Sequence, residues 1–310
     1  MDDIIDSNVL ELRQIVDGGL DIPAHTETAP KDTNPEPEKQ AQIWTYFGAI
    51  GGAGVTSLAV QAAWELSSPD INGPRLDTVL VDLDFERGSC AAYLDTPPSM
   101  HLTELNSAEG RMDADLAATF ITKVSPSLSL VSAHGELGGN DIVSTDALLA
   151  LLDNISGLFD VIIIDVPPMW RPWTGAVIGA ADQFALVTEA RVPALHQTKK
   201  LAADIMEALE LTNPPEVILS KFERRSLRGG LSLADAQKVL GDVSLSQICV
   251  DDETVRIAIN TGKPAGALKP NSRYVKSVRA HVQDWYQGNL QIGAEFGAEP
   301  GKHNRRAARR

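Results

Sequence analysis

The sequence predicts an α/β fold, a doubly wound and mostly parallel β-sheet with helices on both faces. From residue 43 onward, short apolar runs alternate with longer stretches of helical periodicity. Several of the short runs are almost continuously apolar, as buried parallel strands are. A glycine-rich segment joins the first strand to the first helix, and carboxylates follow two later strands. Alternating β and α elements build such a sheet, and ligands bind at the carboxyl ends of its strands.

The predicted strands are short runs rich in Val, Ile, Leu and Phe. They are Ile43–Ala49, Thr78–Leu83, Leu128–Ser132, Val161–Asp165, Phe184–Thr188 and Val217–Leu219. The predicted helices carry apolar residues at helical spacing. They are Thr56–Leu66, Asp115–Lys123, Thr145–Leu158, Ala194–Leu211, Leu233–Leu240 and Ser272–Tyr286.

Composition excludes several classes of protein. The chain has 310 residues, of which 43% are apolar, and a formal net charge of -15. Two cysteines, Cys90 and Cys249, are too few for a disulfide scaffold or a paired-cysteine zinc motif, and they fit a reducing cytosol. Nucleic-acid binding needs a basic surface, so no DNA binding is expected. The acidic N-terminus and the lack of a long apolar run predict a cytoplasmic protein.

The pattern along the chain predicts four regions. Residues 1–20 are expected to form a short amphipathic helix. Residues 21–41 are rich in proline and polar residues and are expected to be a disordered linker. Residues 42–288 hold the alternating elements of the α/β domain. Residues 289–310 are expected to be a flexible basic tail with too little apolar area to anchor a membrane.

The glycine-rich segment has the architecture of a phosphate-binding loop. Glycines let backbone N–H groups turn toward an anion, and the helix that follows adds its positive end. The candidate contact residues are Gly51, Gly52, Ala53, Gly54, Val55, Thr56 and Ser57. The P-loop pattern also requires a first glycine and a lysine, but Ala49 and Val55 stand there. Taken alone, the segment fits a phosphate loop and a simple glycine turn equally well.

Carboxylates at two strand ends favour the phosphate-loop interpretation. Asp82 and Asp84 lie at the end of the strand DTVLVDLD, and Asp165 ends the strand FDVIIID. Carboxylates beside a phosphate loop can hold magnesium through water and orient an attacking water. Each aspartate by itself could equally cap a turn.

Two further segments lie where a ligand or partner would be met. Trp170, Arg171 and Trp173 follow Asp165 in a proline-rich loop. One tryptophan is expected to pack beneath the loop, and the other is left open as an interface residue. Arg171 could supply positive charge to the loop, although a surface ion pair is the commoner fate of such a residue. Ser220 ends a strand and can donate a hydrogen bond.

These residues together resemble the ParA/MinD superfamily of P-loop ATPases. The loop of that family reads Lys-Gly-Gly-x-Gly-Lys-Thr. Here the same frame runs from Ile50 to Thr56, and Ile50 and Val55 occupy the two lysine positions. In the family the first lysine reaches across a dimer to the partner's phosphates, which Ile50 cannot do.

The acidic motifs extend the resemblance. Asp82 and Asp84 match the family's Asp-x-Asp, and Asp165 with Pro167 matches its Asp-x-Pro. The match covers roughly residues 43–286. Within the superfamily, the chain is most similar to the CpaE/TadZ-like pilus-assembly proteins of the Tad (Flp, type IVc) system. That likeness is carried by segments 81–95, 165–177, 181–201 and 255–278.

The resemblance implies a degenerate nucleotide-binding protein that acts as a localisation or assembly factor of a Tad-type pilus or secretion machine. It implies ATP or ADP and Mg²⁺ as ligands, with Thr56 and Asp165 on the magnesium side and Asp84 positioning the attacking water. The missing lysines imply weak or absent hydrolysis. The implied partners are machine components at the inner membrane and a second copy of the chain in a homodimer. The implied location is peripheral to the inner membrane, at the cell pole.

Two alternatives stay open on the sequence. The first is an active ATPase that cycles between monomer and dimer, which a phosphate-release assay would identify. The second is an interaction scaffold that needs no nucleotide, which a nucleotide titration would identify.

Overall fold

The computed structural model describes residues 40–68, 75–135, 137–223 and 230–295. Within them, eight strands form one sheet. The strands are β1 (Gln42–Gly48), β2 (Thr78–Asp82), β3 (Thr122–Ser125), β4 (Leu128–Val131), β5 (Val161–Val166), β6 (Gln183–Glu189), β7 (Glu216–Phe222) and β8 (Leu245–Cys249).

Helices occupy most of the connections between these strands. The first half of the described chain contains α1 (Val55–Ser67), α2 (Cys90–Tyr93), α3 (Leu102–Ser107), α4 (Ala114–Thr119), α5 (Gly139–Ile142) and α6 (Thr145–Ser156). The second half contains α7 (Thr174–Gly179), α8 (Val192–Ala208), α9 (Leu233–Leu240), α10 (Asp252–Thr261), α11 (Ala265–Leu268) and α12 (Arg273–Glu295).

The sheet has the strand order β3-β4-β2-β5-β1-β6-β7-β8. Each neighbouring pair is parallel except β3 and β4, which are antiparallel. The predicted doubly wound, mostly parallel sheet is therefore confirmed. The order places the carboxyl ends of β2, β5 and β1 side by side at the centre, where the glycine-rich segment leaves β1.

Alternate residues of β1 enter two separate cores, because side chains along a strand point to opposite faces. Trp44 and Tyr46 lie in the core beneath α1 and α12. The ring of Tyr46 stacks on Trp285 of α12 with 5.2 Å between centroids. Ile43 and Phe47 lie in the opposite core, which α6 and α8 cover. The strand that leads into the glycine loop is thus buried on both faces.

The structure corrects the predicted helix over 115–123. That helix ends at Thr119, and residues 122–125 form β3, which folds back on β4 across the turn at Pro126 and Ser127. Proline at this turn fixes the backbone for the reversal from β3 into β4. The edge strand β8 was not predicted, because its sequence LSQIC is half polar and only Ile248 is buried.

The described residues include only part of the predicted terminal regions. The proposed helix over 1–20 lies outside the described residues, as does the linker over 21–41 except at its last two residues. The final helix α12 continues to Glu295, beyond the predicted domain end at residue 288. Residues 296–310 of the predicted tail also lie outside the described residues.

A close backbone contact at Gly139 predicts a cost for any side chain there. A Cβ would lie 2.6 Å from the Phe85 carbonyl oxygen and 2.8 Å from Leu102 Cδ1. Gly139→Ala is expected to lower the free energy of unfolding by about 1–3 kcal/mol, measured by urea denaturation. Gly157→Ala is the control, since its Cβ would meet nothing within 4 Å; it should stabilise by about 0.4–1 kcal/mol. Equal stabilities of the two variants would refute the contact.

Candidate nucleotide site

The glycine loop joins β1 to α1 and opens to solvent. Gly52 and Gly54 have φ of 76° and 85°, a left-handed conformation that favours glycine. Gly54 is the N-cap of α1 and provides no side-chain cap. Gly51 and Gly52 are exposed, and a Cβ at either would meet nothing within 4 Å. An anion can therefore approach the loop and the first N–H groups of α1, which have no partners within the helix.

The two residues at the lysine positions of the loop serve the core. Val55 is 9% exposed and packs in the cluster beneath α1, and Ile50 packs against the same cluster. The Thr56 side chain interacts with the Asp165 carboxyl and opposes the rise in its pKa. The backbone carbonyl of Ser57 accepts the Tyr274 hydroxyl at 2.6 Å. Among the predicted contact residues, Thr56 thus joins the loop to the carboxylates.

Two residues of strand β7 contact the backbone of the glycine loop. The buried Ser220 hydroxyl lies within hydrogen-bond distance of two carbonyl oxygens, those of Ala53, at 2.5 Å, and Thr188, at 3.0 Å. Lys221 Nζ donates to the Gly52 carbonyl at 2.6 Å and pairs with Glu189 Oε1 at 2.9 Å. Ser220 therefore directs its hydroxyl to the loop backbone. Sequence reasoning missed Lys221, because β7 was predicted to end at Leu219.

Two aspartates face each other at the ends of β2 and β5. Asp82 and Asp165 are register partners and are 2% and 4% exposed. Asp82 accepts the N–H groups of Cys90 at 2.9 Å and Asp84 at 3.0 Å. Cys90 Sγ donates to Asp165 Oδ2 at 3.5 Å. One ligand atom from each of Asp82, Cys90 and Asp165 lies within 4.8 Å of the others.

Burial sets the protonation of this pair. It raises the pKa of Asp82 to about 6, although the N–H groups of Cys90 and Asp84 oppose the change. Burial, followed by the charge of Asp82, raises the pKa of Asp165 to about 7, and the Thr56 hydrogen bond opposes it. Two buried carboxylates whose oxygen atoms lie within 4.8 Å of each other favour a shared proton. A divalent cation bound between them would replace that proton.

These values predict a pH-dependent stability for the metal-free protein. Both folded-state pKa values exceed the ordinary 3.8, so the folded protein binds more protons than the unfolded chain between about pH 4 and pH 7. Stability from these groups is complete below pH 4 and is lost as the pH rises through 6 and 7. In EDTA, wild type should lose roughly 2–3 kcal/mol more than Asp82→Asn across this window, by urea denaturation. Parallel pH profiles would contradict the raised values.

Asp84 organises the turn that follows β2. Its Oδ1 accepts the N–H groups of Glu86 at 3.2 Å and Arg87 at 3.1 Å. The same oxygen accepts Asn140 Nδ2 at 3.2 Å. Asp84 therefore shapes the loop over 84–87, and its role toward a water stays a prediction.

The loop after β5 separates its two tryptophans. Trp173 is fully buried, donates through Nε1 to the Asn140 carbonyl at 3.0 Å and packs against Phe85. Trp170 remains 45% exposed. Arg171 hydrogen-bonds Asp141 at 2.5 Å and pairs with Glu86 at 3.8 Å. The positive charge of Arg171 is thus directed to these acids and not to the glycine loop.

Comparison with solved structures shows which class of fold this is. The chain is similar to a ParA family ATPase from Chlorobium tepidum, with a TM-score of 0.67 and 21% identity over 79% of this chain and 98% of that one. It is similar to the cell division ATPase MinD of Pyrococcus furiosus, with a TM-score of 0.65 and 18% identity over 80% and 99%. It is also similar to a MinD of Pyrococcus horikoshii complexed with Mg-ADP, with a TM-score of 0.64 and 19% identity over 79% of this chain and 95% of that one. The chain has the fold of the ParA/MinD ATPases.

Sequence comparisons add less. No protein-family model matches the chain. The chain is 29% identical over 165 residues to the tyrosine-protein kinase ptk of Acinetobacter johnsonii. That match covers 52% of this chain and 19% of the kinase, so the chain spans about a fifth of that relative. Among the helices of the described residues, none has the length and apolarity needed to cross a membrane.

Proposed function

We propose that this chain is a degenerate member of the ParA/MinD superfamily that binds ATP or ADP with Mg²⁺ weakly and hydrolyses it little or not at all. The observation that carries the proposal is the juxtaposition of an open glycine loop with a buried carboxylate pair. Thr56 links the two, because it lies in the first turn of α1 and its side chain interacts with the Asp165 carboxyl. The Mg-ADP complex of a MinD with the same fold supports the choice of ligand.

The donor set fits the expected ligands. The loop N–H groups and the start of α1 would hold phosphate oxygens. Thr56 and Asp165 offer the hard oxygen atoms that Mg²⁺ prefers, and Asp82 neutralises the ion from the adjacent strand. Bound Mg²⁺ would neutralise charge on the phosphates. Asp84 is proposed to orient a water from the turn beside β2.

The weakness of the site follows from what stands at positions 50 and 55. A charge-assisted hydrogen bond contributes about 1.5–3 kcal/mol, so each lysine that no other cation replaces lowers affinity by about one to two orders of magnitude. Hydrolysis suffers more, because a positioned cation can be worth about three to five orders of magnitude in rate. Val55 and Ile50 offer no cation.

The biological role is proposed from the sequence likeness to CpaE/TadZ-like proteins. Segments 81–95 and 255–278 are among those that carry it. The chain would be a localisation or assembly factor of a Tad-type pilus or secretion machine, peripheral to the inner membrane, and would form a homodimer. A MinD of this fold is known in complex with MinC, which supports a role in partner binding.

Steady-state phosphate release by the purified full chain tests the catalytic part of the proposal. Turnover should stay below about 1 per minute, since even unassisted P-loop GTPases turn over at about 0.0004–0.01 per second. Faster turnover that Asp84→Ala abolishes would establish an active ATPase instead. Asp113→Ala is the matched control, because the Asp113 side chain also accepts a backbone N–H group, at the start of α4. It should leave the turnover unchanged.

The assembly role is tested in the cells that encode the chain. Deleting its gene should abolish assembled surface pili, and a tagged copy should co-purify with components of the inner-membrane machine. Normal piliation of the deletion strain would refute this role without affecting the nucleotide site.

A further inference from the structure

We infer that Lys221, from strand β7, supplies the positive charge that the phosphate loop lacks at Val55. This inference rests on the proposed nucleotide site. Lys221 Nζ lies 2.6 Å from the Gly52 carbonyl oxygen, within the loop itself. A Cβ placed on Gly54 would lie 3.9 Å from Lys221 Cε, so the aliphatic part of the side chain passes beside the loop. An ammonium group is thus held at the exposed glycines, although the loop sequence contains none.

An irregularity in β7 directs this side chain. Consecutive residues of a regular strand point to opposite faces. Here Ser220 and Lys221 both hydrogen-bond the same loop, through the carbonyls of Ala53 and Gly52. The pairing of β7 with β8 shifts register between Leu219 and Phe222, and Lys221 has φ of 49°. Bulges recur beside functional sites, where they redirect a side chain.

The charges around Lys221 leave its ammonium available to an anion. The Lys221 side chain is 46% exposed, whereas its acidic partner Glu189 is 8% exposed. Glu189 also pairs with Arg191, so it keeps a cation when Lys221 turns to another ligand. A phosphate oxygen would replace the Gly52 carbonyl as acceptor and form a stronger, charge-assisted hydrogen bond.

A purely structural clamp is the competing explanation. A clamp needs only the hydrogen bond to Gly52, so its loss would lower stability and leave the charge dependence of binding unchanged. A phosphate-binding lysine changes the affinity and its response to salt, because ionic attraction is screened by salt. If Lys221 binds phosphate, a lysine placed at position 55 would take over its function.

Calorimetric titration of the full chain with Mg·ATP, and with inorganic triphosphate, tests the inference. Lys221→Met should weaken binding of both by about 10- to 100-fold and reduce the salt dependence. Lys221→Arg should stay within about threefold of wild type, because it keeps the charge. Adding Val55→Lys to Lys221→Met should restore affinity. The control is Lys200→Met, which removes an exposed lysine paired with Asp204 on α8.

The outcomes separate this inference from the proposed function. Unchanged affinity and salt dependence in Lys221→Met, with a wild type that binds, would overturn the role of Lys221 alone. Weaker binding in Lys221→Met with an unchanged salt dependence, together with a lower melting temperature of that single variant, would show a clamp and also overturn it. A wild type that binds neither ligand would overturn both the inference and the proposed nucleotide site.

Discussion

Ile50→Lys combined with Val55→Lys is expected to raise the rate of phosphate release from ATP by about three orders of magnitude. The double variant places cations at both lysine positions of the loop. Thr56 and the Asp82–Asp165 pair already lie beside this loop. Charge developing on the transferred phosphoryl group is stabilised by such cations, each worth about three to five orders of magnitude at best. The measurement is steady-state phosphate release from the purified chain with Mg·ATP.

The matched control is Ile50→Met with Val55→Met, which has long unbranched side chains without charge. It should release phosphate no faster than wild type. Asp165→Asn added to the lysine variant should abolish the gain. A folded double-lysine variant with wild-type turnover would show that the site lacks more than the two cations.

Arg279→Met is expected to lower the free energy of unfolding by about 3 kcal/mol. Arg279 Nε on α12 lies 2.7 Å from Glu65 Oε2 on α1, and Glu65 is 1% exposed. Removing the arginine leaves a buried carboxylate with Gln61 Nε2, at 2.7 Å, as a neutral donor. Arg279 is itself 25% exposed, which keeps the cost near the lower end of the range for buried pairs. Urea denaturation provides the measurement.

Glu65→Gln in the Arg279→Met background should recover most of the loss, because no charge then remains buried. Lys200→Met removes a surface ion pair and should change the stability by less than about 1 kcal/mol. If Arg279→Met were as stable as Lys200→Met, the ion pair would not hold α12 against α1. The pair matters to the site because α1 carries the end of the glycine loop.

The sequence was sufficient for the six inner strands of the sheet, β4-β2-β5-β1-β6-β7, and for the position of the loop. Buried parallel strands appear as apolar runs, and the carboxyl ends of parallel strands share one edge, so Asp165 was expected beside the loop. It was not sufficient to assign Asp82 and Asp84, which are two residues apart. Strand register decides that Asp82 faces Asp165, while Asp84 closes the next turn.

Lys221 could not be predicted from local pattern. Strand periodicity places it on the face opposite to Ser220, and only the irregular pairing of β7 with β8 brings both to the loop. The antiparallel edge strand β3 was missed because the helix before it, which ends at Thr119, is followed at once by residues that pair with β4. Both cases depend on contacts between segments that are distant in the sequence or on their register.

A crystal structure of the chain grown with Mg²⁺ and a non-hydrolysable ATP analogue at millimolar concentration tests the central claim most directly. The account predicts phosphate density at Gly51–Thr56 and a magnesium ion held by Thr56 and Asp165. A loop without nucleotide at saturating concentration, or a nucleotide bound elsewhere on the chain, would contradict the proposed site.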